Sequence, residues 1–98
     1  METKERNRII ELYDIYSNLL TDKQRAYFED YYYSDLSISE IAEGYSISRN
    51  AVHDQLKRVV NSLNEYEECL KLKEKMDSIN NLEIDDEIKD MVINILKE

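Results

Sequence analysis

Apolar residues recur at the three- and four-residue steps of an α-helix along almost the whole chain. Ile9, Leu12, Tyr13, Tyr16, Leu19 and Leu20 predict a first helix over roughly residues 4–19. Thr21 then offers a hydroxyl cap, and Gln24 three residues on completes a capping box, so a second helix starts there. It carries Tyr27, Phe28, Tyr31 and Tyr32 and is expected to end near Ser34-Asp35. Ser37-Ile38-Ser39-Glu40-Ile41-Ala42-Glu43 predicts a short capped helix, Gly44-Tyr45-Ser46-Ile47 a turn, and Ser48 the cap of a further helix opening Arg49-Asn50-Ala51-Val52. Val52, Leu56, Val59, Val60, Leu63, Tyr66 and Leu70 continue that last stripe without an evident stop, which predicts a helix running past residue 70. Asp77-Ser78-Ile79-Asn80-Asn81 reads as a linker, because such side chains compete for backbone hydrogen bonds. A final stripe comprises Ile84, Ile88, Met91, Val92, Ile95 and Leu96. Asp85, Asp86 and Glu87 stand at its start and Lys97 near its end, as a helix dipole favours.

The informative stretch is Ile38 to Val59. Two short helices crossing steeply over a tight turn need apolar residues at set positions. Ile41 faces the core, Ala42 is small enough for close crossing, Tyr45 and Ile47 plug the turn, and Val52 and Leu56 bind the second helix back to the first. This is a helix-turn-helix pattern. Its exposed face near the start of the second helix meets the partner. Here that face offers Arg49, Asn50, His53 and Lys57, with Asp54 among them and Arg58 further round. Arg49 suits a guanine edge and Asn50 an adenine edge, but the Asp54 carboxylate repels phosphate. The chemistry fits a DNA-reading face and a protein-docking face about equally.

The 98 residues include no Pro and one Gly, so long helices run without their two main breakers and an all-α fold follows. The domain is expected to span residues 1–76, with residues 77–98 a linker and a helix packed on the same core or on a partner subunit. The long stripe exceeds what so small a core covers, which predicts a homodimer through Val59, Leu63, Tyr66 and Leu70. Lys and Arg number 13 against 22 Asp and Glu, a net charge of −9. That is unusual for a chain whose main partner is nucleic acid, because binding phosphate requires positive surface. The charge is uneven: residues 37–62 hold 3 basic and 3 acidic groups, whereas residues 63–98 hold 5 and 11. Any binding to naked DNA is expected to be weak.

Chemistry is sparse. His53 is the only histidine and Cys69 the only cysteine, so a metal site lacks ligands and no intrachain disulfide forms. Cys69 is expected to pack beside the long stripe. The tyrosines at 27, 31, 32 and 33 fit core and rim packing better than a base-stacking platform. Glu65, Glu67 and Glu68 read as a solvated face. A single Gly cannot build a phosphate-cradling loop, and no nucleophile–base–acid set can be assembled; the expectation is no enzyme and no cofactor. The N-terminus lacks a signal-peptide pattern and no stretch is long enough to span a membrane, which points to the cytoplasm.

Taken together, Leu20-Thr21-Asp22-Lys23-Gln24-Arg25, the helix through Tyr31-Tyr32-Tyr33, the run Asp35 to Glu43 and the run Ile47 to Arg58 resemble the YlxM family of small bacterial proteins. The resemblance covers about residues 8–75. It implies a fold like region 4 of sigma factors and a regulatory or accessory role in the signal recognition particle pathway. The partners it implies are that particle's GTPase subunit, its RNA, or both. Two positions depart from the family pattern: Ser46 stands where Gly usually precedes the turn Ile, and His53 where an aromatic usually follows Ala-Val. The runner-up is a DNA-binding transcriptional regulator; a third reading is a scaffold whose helix-turn-helix only supports dimerisation.

Overall fold

The computed structural model describes residues 3–97, and every regular element among them is helical. α1 spans Thr3–Tyr16 and tightens into a 3₁₀ turn at Ser17–Leu19. α2 spans Asp22–Tyr32, α3 Ile38–Tyr45, α4 Arg49–Leu70, α5 Leu72–Asn80 and α6 Asp86–Lys97. α4 is the spine, packed against α1, α2 and α3. No helix among the described residues is long and apolar enough to cross a membrane.

The core has two adjoining parts. One closes the helix-turn-helix around Tyr27, Ile41, Ala42, Val52 and Leu56. The other joins α1, α2 and the second half of α4 through Ile9, Leu12, Tyr13, Tyr16, Leu20, Phe28, Tyr32, Val59 and Leu63. Tyr13 stacks on Phe28 at 4.0 Å between ring centroids. Each fully buried Leu, Ile, Val or Phe stabilises the fold by roughly 1.5–3 kcal/mol. Both parts draw on α4, so the helix-turn-helix is held by the same element that anchors the rest of the chain.

Val59 and Leu63, expected between two chains, are wholly buried within one. α1 lies along them and supplies the cover that a second chain was expected to give. Tyr66 is half-buried, and its hydroxyl donates to the Leu19 carbonyl at 3.3 Å. Leu70 alone of the four keeps a large exposed surface, 45%. Cys69, expected to pack, is exposed.

The starts of α2, α3 and α4 fall where the sequence places them, and their ends do not. Thr21 and Ser37 form reciprocal capping boxes with Gln24 and Glu40, and Ser48 caps α4. α2 stops at Tyr32, short of Ser34-Asp35. α3 runs on through Gly44 and Tyr45, which were read as turn. α4 halts at Leu70 because Lys71 turns left-handed, at φ 55°. The linker reading of Asp77 to Asn80 is corrected too: these residues close α5, which buries Met76 and ties Asp77 to Lys73 at 2.7 Å. The non-helical link is Asn81 to Asp85.

Candidate nucleic-acid interface

Three local devices aim the start of α4. Ser37 Oγ accepts from the Glu40 amide at 3.0 Å while Glu40 Oε1 accepts from the Ser37 amide at 3.1 Å, fixing the start of α3. At the other end Ser46 adopts a left-handed φ of 56°. The Ile47 amide then donates back to the Ala42 carbonyl at 3.0 Å and the Ser46 amide to Glu43 at 3.2 Å, the paired bonds of a Schellman turn. Ser48 Oγ accepts from the Ala51 amide at 3.1 Å and so caps α4 two residues after the turn. Val52 and Leu56 then seat on Ile41, Ala42 and Tyr27.

This leaves Arg49, Asn50, His53, Asp54, Lys57 and Arg58 exposed. At 100° per residue they form two parallel ridges, Arg49–His53–Lys57 and Asn50–Asp54–Arg58; the second lies opposite the buried line of Val52, Leu56 and Val59, and the first on the flank between that line and the second. The first ridge runs about 12 Å along the axis. Arg49, Asn50, His53 and Lys57 therefore share one face, and Arg58 stands at its far edge. Elsewhere Arg6, Arg8, Arg25, Lys71, Lys73 and Lys97 are held in ion pairs. None of Arg49, Lys57 or Arg58 makes one among the described residues.

Two features of the site left no trace in the sequence. A groove of about 360 Å³ runs beside the first ridge, with Tyr31, Tyr32, Ile38 and Leu56 in its lining and His53 and Lys57 on its rim. Arg6 reaches from α1 to donate to the Tyr32 carbonyl at 2.8 Å and to Asp35 at 3.3 Å, with its guanidinium over the Tyr32 ring. It thereby pins the loop that leads into α3. Only three-dimensional proximity pairs residues 26 and 29 positions apart. Tyr45 stands 42% exposed rather than plugging the turn. Its ring meets Tyr27 edge-on at 4.9 Å and its hydroxyl donates to Asp30 at 2.9 Å, a bond that raises the phenol's pKa above its ordinary value.

Comparison with known proteins agrees with this geometry. A family model described as "Putative helix-turn-helix protein, YlxM / p13 like" matches residues 3–98. A UPF0122 protein of Lactococcus lactis subsp. cremoris is 50% identical over 72 residues, covering 74% of this chain and 65% of the relative. One from Shouchella clausii is 49% identical over 67 residues, 68% of this chain and 62% of its own length. One from Bacillus cereus is 53% identical over 64 residues, 65% and 58% respectively. The chain thus spans less than two thirds of the length of these relatives.

Proposed function

The chain belongs to the YlxM / p13-like helix-turn-helix family, and from that premise we propose that it is a non-enzymatic regulatory protein of the signal recognition particle pathway. Its α4 face docks on the particle's RNA, its GTPase subunit, or both, and its place of work is the cytoplasm. The observation that carries this reading is the placement of charge. The basic side chains of the helix-turn-helix enter no ion pair among the described residues, on a chain whose net charge is −9. Three cations suffice for a few phosphate contacts, but the acidic remainder repels a long naked duplex. A ribonucleoprotein offers phosphate to the α4 face and basic protein surface to the rest.

Exposed Arg49 and Asn50 in the first turn of α4 also have the chemistry and the placement for reading base edges. They favour a second reading, a DNA-binding transcriptional regulator. One titration series separates the two. The whole chain is titrated with the assembled particle, its RNA, its GTPase subunit and a short DNA duplex, at low and physiological salt. The expected result is weak duplex binding that fades with salt, beside particle binding that survives it and falls in an Arg49→Ala/Lys57→Ala variant. Tight, sequence-specific duplex binding at physiological salt, lost on Arg49→Ala, would promote the transcriptional reading instead.

A further inference from the structure

The groove beside the first ridge of α4 has no part in the contacts that the ridge itself can make. Its floor is apolar, formed by Ile38, Leu56 and Val60, and Tyr31 and Tyr32 stand along its α2 side. His53, Lys57 and Asn61 follow one another at four-residue steps and make its rim along about 12 Å of α4. Tyr32 is committed: its ring stacks on Phe28 at 4.3 Å between centroids and carries the Arg6 guanidinium. Tyr31 is only half-buried, and its ring stands nearly perpendicular to that of Tyr32, at 5.1 Å. Tyr31 and the exposed His53 are therefore the two rings that the groove offers. The rim is uncommitted. The His53 imidazole, the Lys57 ammonium and the Asn61 amide make no hydrogen bond or ion pair among the described residues, whereas the amide oxygen of Asn64, three residues on, accepts from Arg8 at 2.7 Å.

Charge and shape decide what fits it. Three other clefts, of about 390, 540 and 380 Å³, each hold a carboxylate: Glu11 lines two of them and Glu74 the third. The α4 groove, of about 360 Å³, holds none, and Lys57 supplies its one fixed charge. The acids that adjoin its lining in sequence are turned elsewhere: Asp30 accepts from Tyr45, Asp35 pairs with Arg6, Glu40 caps α3, and Asp54 belongs to the outer ridge. On a chain of charge −9 this is a local site for an anion that also carries a flat apolar body. A nucleotide has that form, with two apolar faces and a polar edge on its base and the charge on its phosphate. In a duplex both faces are covered by neighbouring bases, so only an unpaired base can lay one against Leu56 and Val60. Asn61 has both a donor and an acceptor for the edge of such a base. An acidic, apolar peptide has the charge and the apolar body but not the flat polar edge.

We propose that this groove takes one unpaired base of single-stranded nucleic acid, stacked against Tyr31 and His53, with its edge on Asn61 and its phosphate on Lys57. The proposal rests on the reading of the α4 face and deepens it, from a charged surface to a base-binding one. The probes are hexamers of uridine and of deoxyuridine nucleotides, with an abasic hexamer of the same charge as control, titrated into the whole chain. The base-bearing strands bind about tenfold more tightly than the abasic one at equal salt. Their ring currents also shift the methyl signals of Ile38, Leu56 and Val60, which the abasic strand cannot do. A His53→Ala/Asn61→Ala variant, altered only at exposed positions, binds every strand at the abasic level and leaves the binding of the abasic strand itself unchanged. Unaltered helicity by circular dichroism confirms its fold. Lys57→Ala weakens all strands alike. Uridine bound in preference to deoxyuridine assigns the site to RNA, and equal binding assigns it to single strands of either sugar; both results keep the base. Equal binding of base-bearing and abasic strands, with Lys57→Ala still effective, would overturn the groove and leave the reading of the α4 face standing. No binding by any strand would remove the groove together with the nucleic-acid half of that reading. A peptide of Leu and Asp that shifts the same methyls where the hexamers do not would overturn the proposal and give the groove to a protein segment.

Discussion

Glu67 joins three elements with one carboxylate. Its Oε1 accepts from the Tyr16 hydroxyl at 2.6 Å and the Lys73 amide at 3.0 Å, and its Oε2 accepts from the Glu74 amide at 3.1 Å. Tyr16 in turn accepts from the Leu72 amide at 3.1 Å. Three first-turn amides of α5 are satisfied this way, where Lys71 in the cap position supplies no side-chain bond. Burial, aided by the bond to Glu67, pushes the Tyr16 phenol up to about 12 from 10.0. A phenol whose folded pKa is raised contributes stability that is fully present below pH 10 and is lost as pH climbs through 12. Tyr16→Phe removes the hydroxyl and leaves the part-buried Leu72 amide without its acceptor, so it should cost about 0.5–1.5 kcal/mol in urea unfolding at neutral pH. It should also flatten the alkaline decline between pH 10 and 12; an unchanged decline would assign that pH dependence to other groups, Tyr13 first, which is raised to about 12 as well. The sequence places Tyr16 on an apolar stripe, and its ring is indeed core. Glu67 reads there as a solvated face, because its hydroxyl partner lies 51 residues away and nothing local announces the bond.

At the scale of elements, helix starts and helix ends differ in how much the sequence reveals. Starts are local chemistry: Thr21, Ser37 and Ser48 each meet an amide three residues on, and all three are legible. Ends depend on one residue adopting a left-handed backbone, a role usually taken by Gly. Here Ser46 and Lys71 take it for α3 and α4, at φ 56° and 55°, while α2 closes on Tyr33 in the right-handed region and Asp35, at φ 55°, lies in the loop beyond. The one Gly, Gly44, lies within α3 instead, and a turn read from Gly44 starts too early. The arrangement predicts an inverted preference for Gly. A left-handed conformation costs an L-residue about 1–2 kcal/mol, so Ser46→Gly should stabilise the protein by up to ~1 kcal/mol after the unfolded-chain entropy of Gly is offset. A Cβ at Gly44 meets no atom within 4 Å, so Gly44→Ala should add about 0.5–1 kcal/mol. Thermal melts of the two single variants and the double check both. A destabilised Gly44→Ala would mean that α3 does not extend to Tyr45 in solution. The same reasoning explains the missing stop of α4: Lys71 ends it against its own preference, because Glu67 and α1 reward the bend.

The whole molecule is long rather than round, 50 × 23 × 19 Å with a radius of gyration of 15.7 Å, against about 13 Å for a compact domain of this length. Its all-α class and helix-turn-helix were legible, since they rest on periodicity and on one motif. The cover of the α4 stripe was not. A sequence shows that a stripe is apolar without showing whether the same chain or another lies on it, and here α1 does. Length keeps the α4 face apart from the acidic third of the chain, and that separation bears on binding strength. Each Lys or Arg contact to phosphate contributes about −0.7 to −0.9 to the slope of log affinity against log salt. Arg49, Lys57 and Arg58 are the only cations at the face, so the slope for a nucleic-acid ligand should not exceed about −3. Lys57→Ala should reduce it by about one and weaken binding alike for every sequence, the behaviour of a phosphate contact. Asp54→Asn should strengthen binding severalfold at low salt and have little effect once screening shortens the reach of its charge to about 8 Å. Fluorescence anisotropy with a labelled RNA or DNA, at four or more salt concentrations per variant, supplies the slopes. A slope well steeper than three contacts allow would require cations from another face, and the placement of the binding surface on α4 would then be wrong.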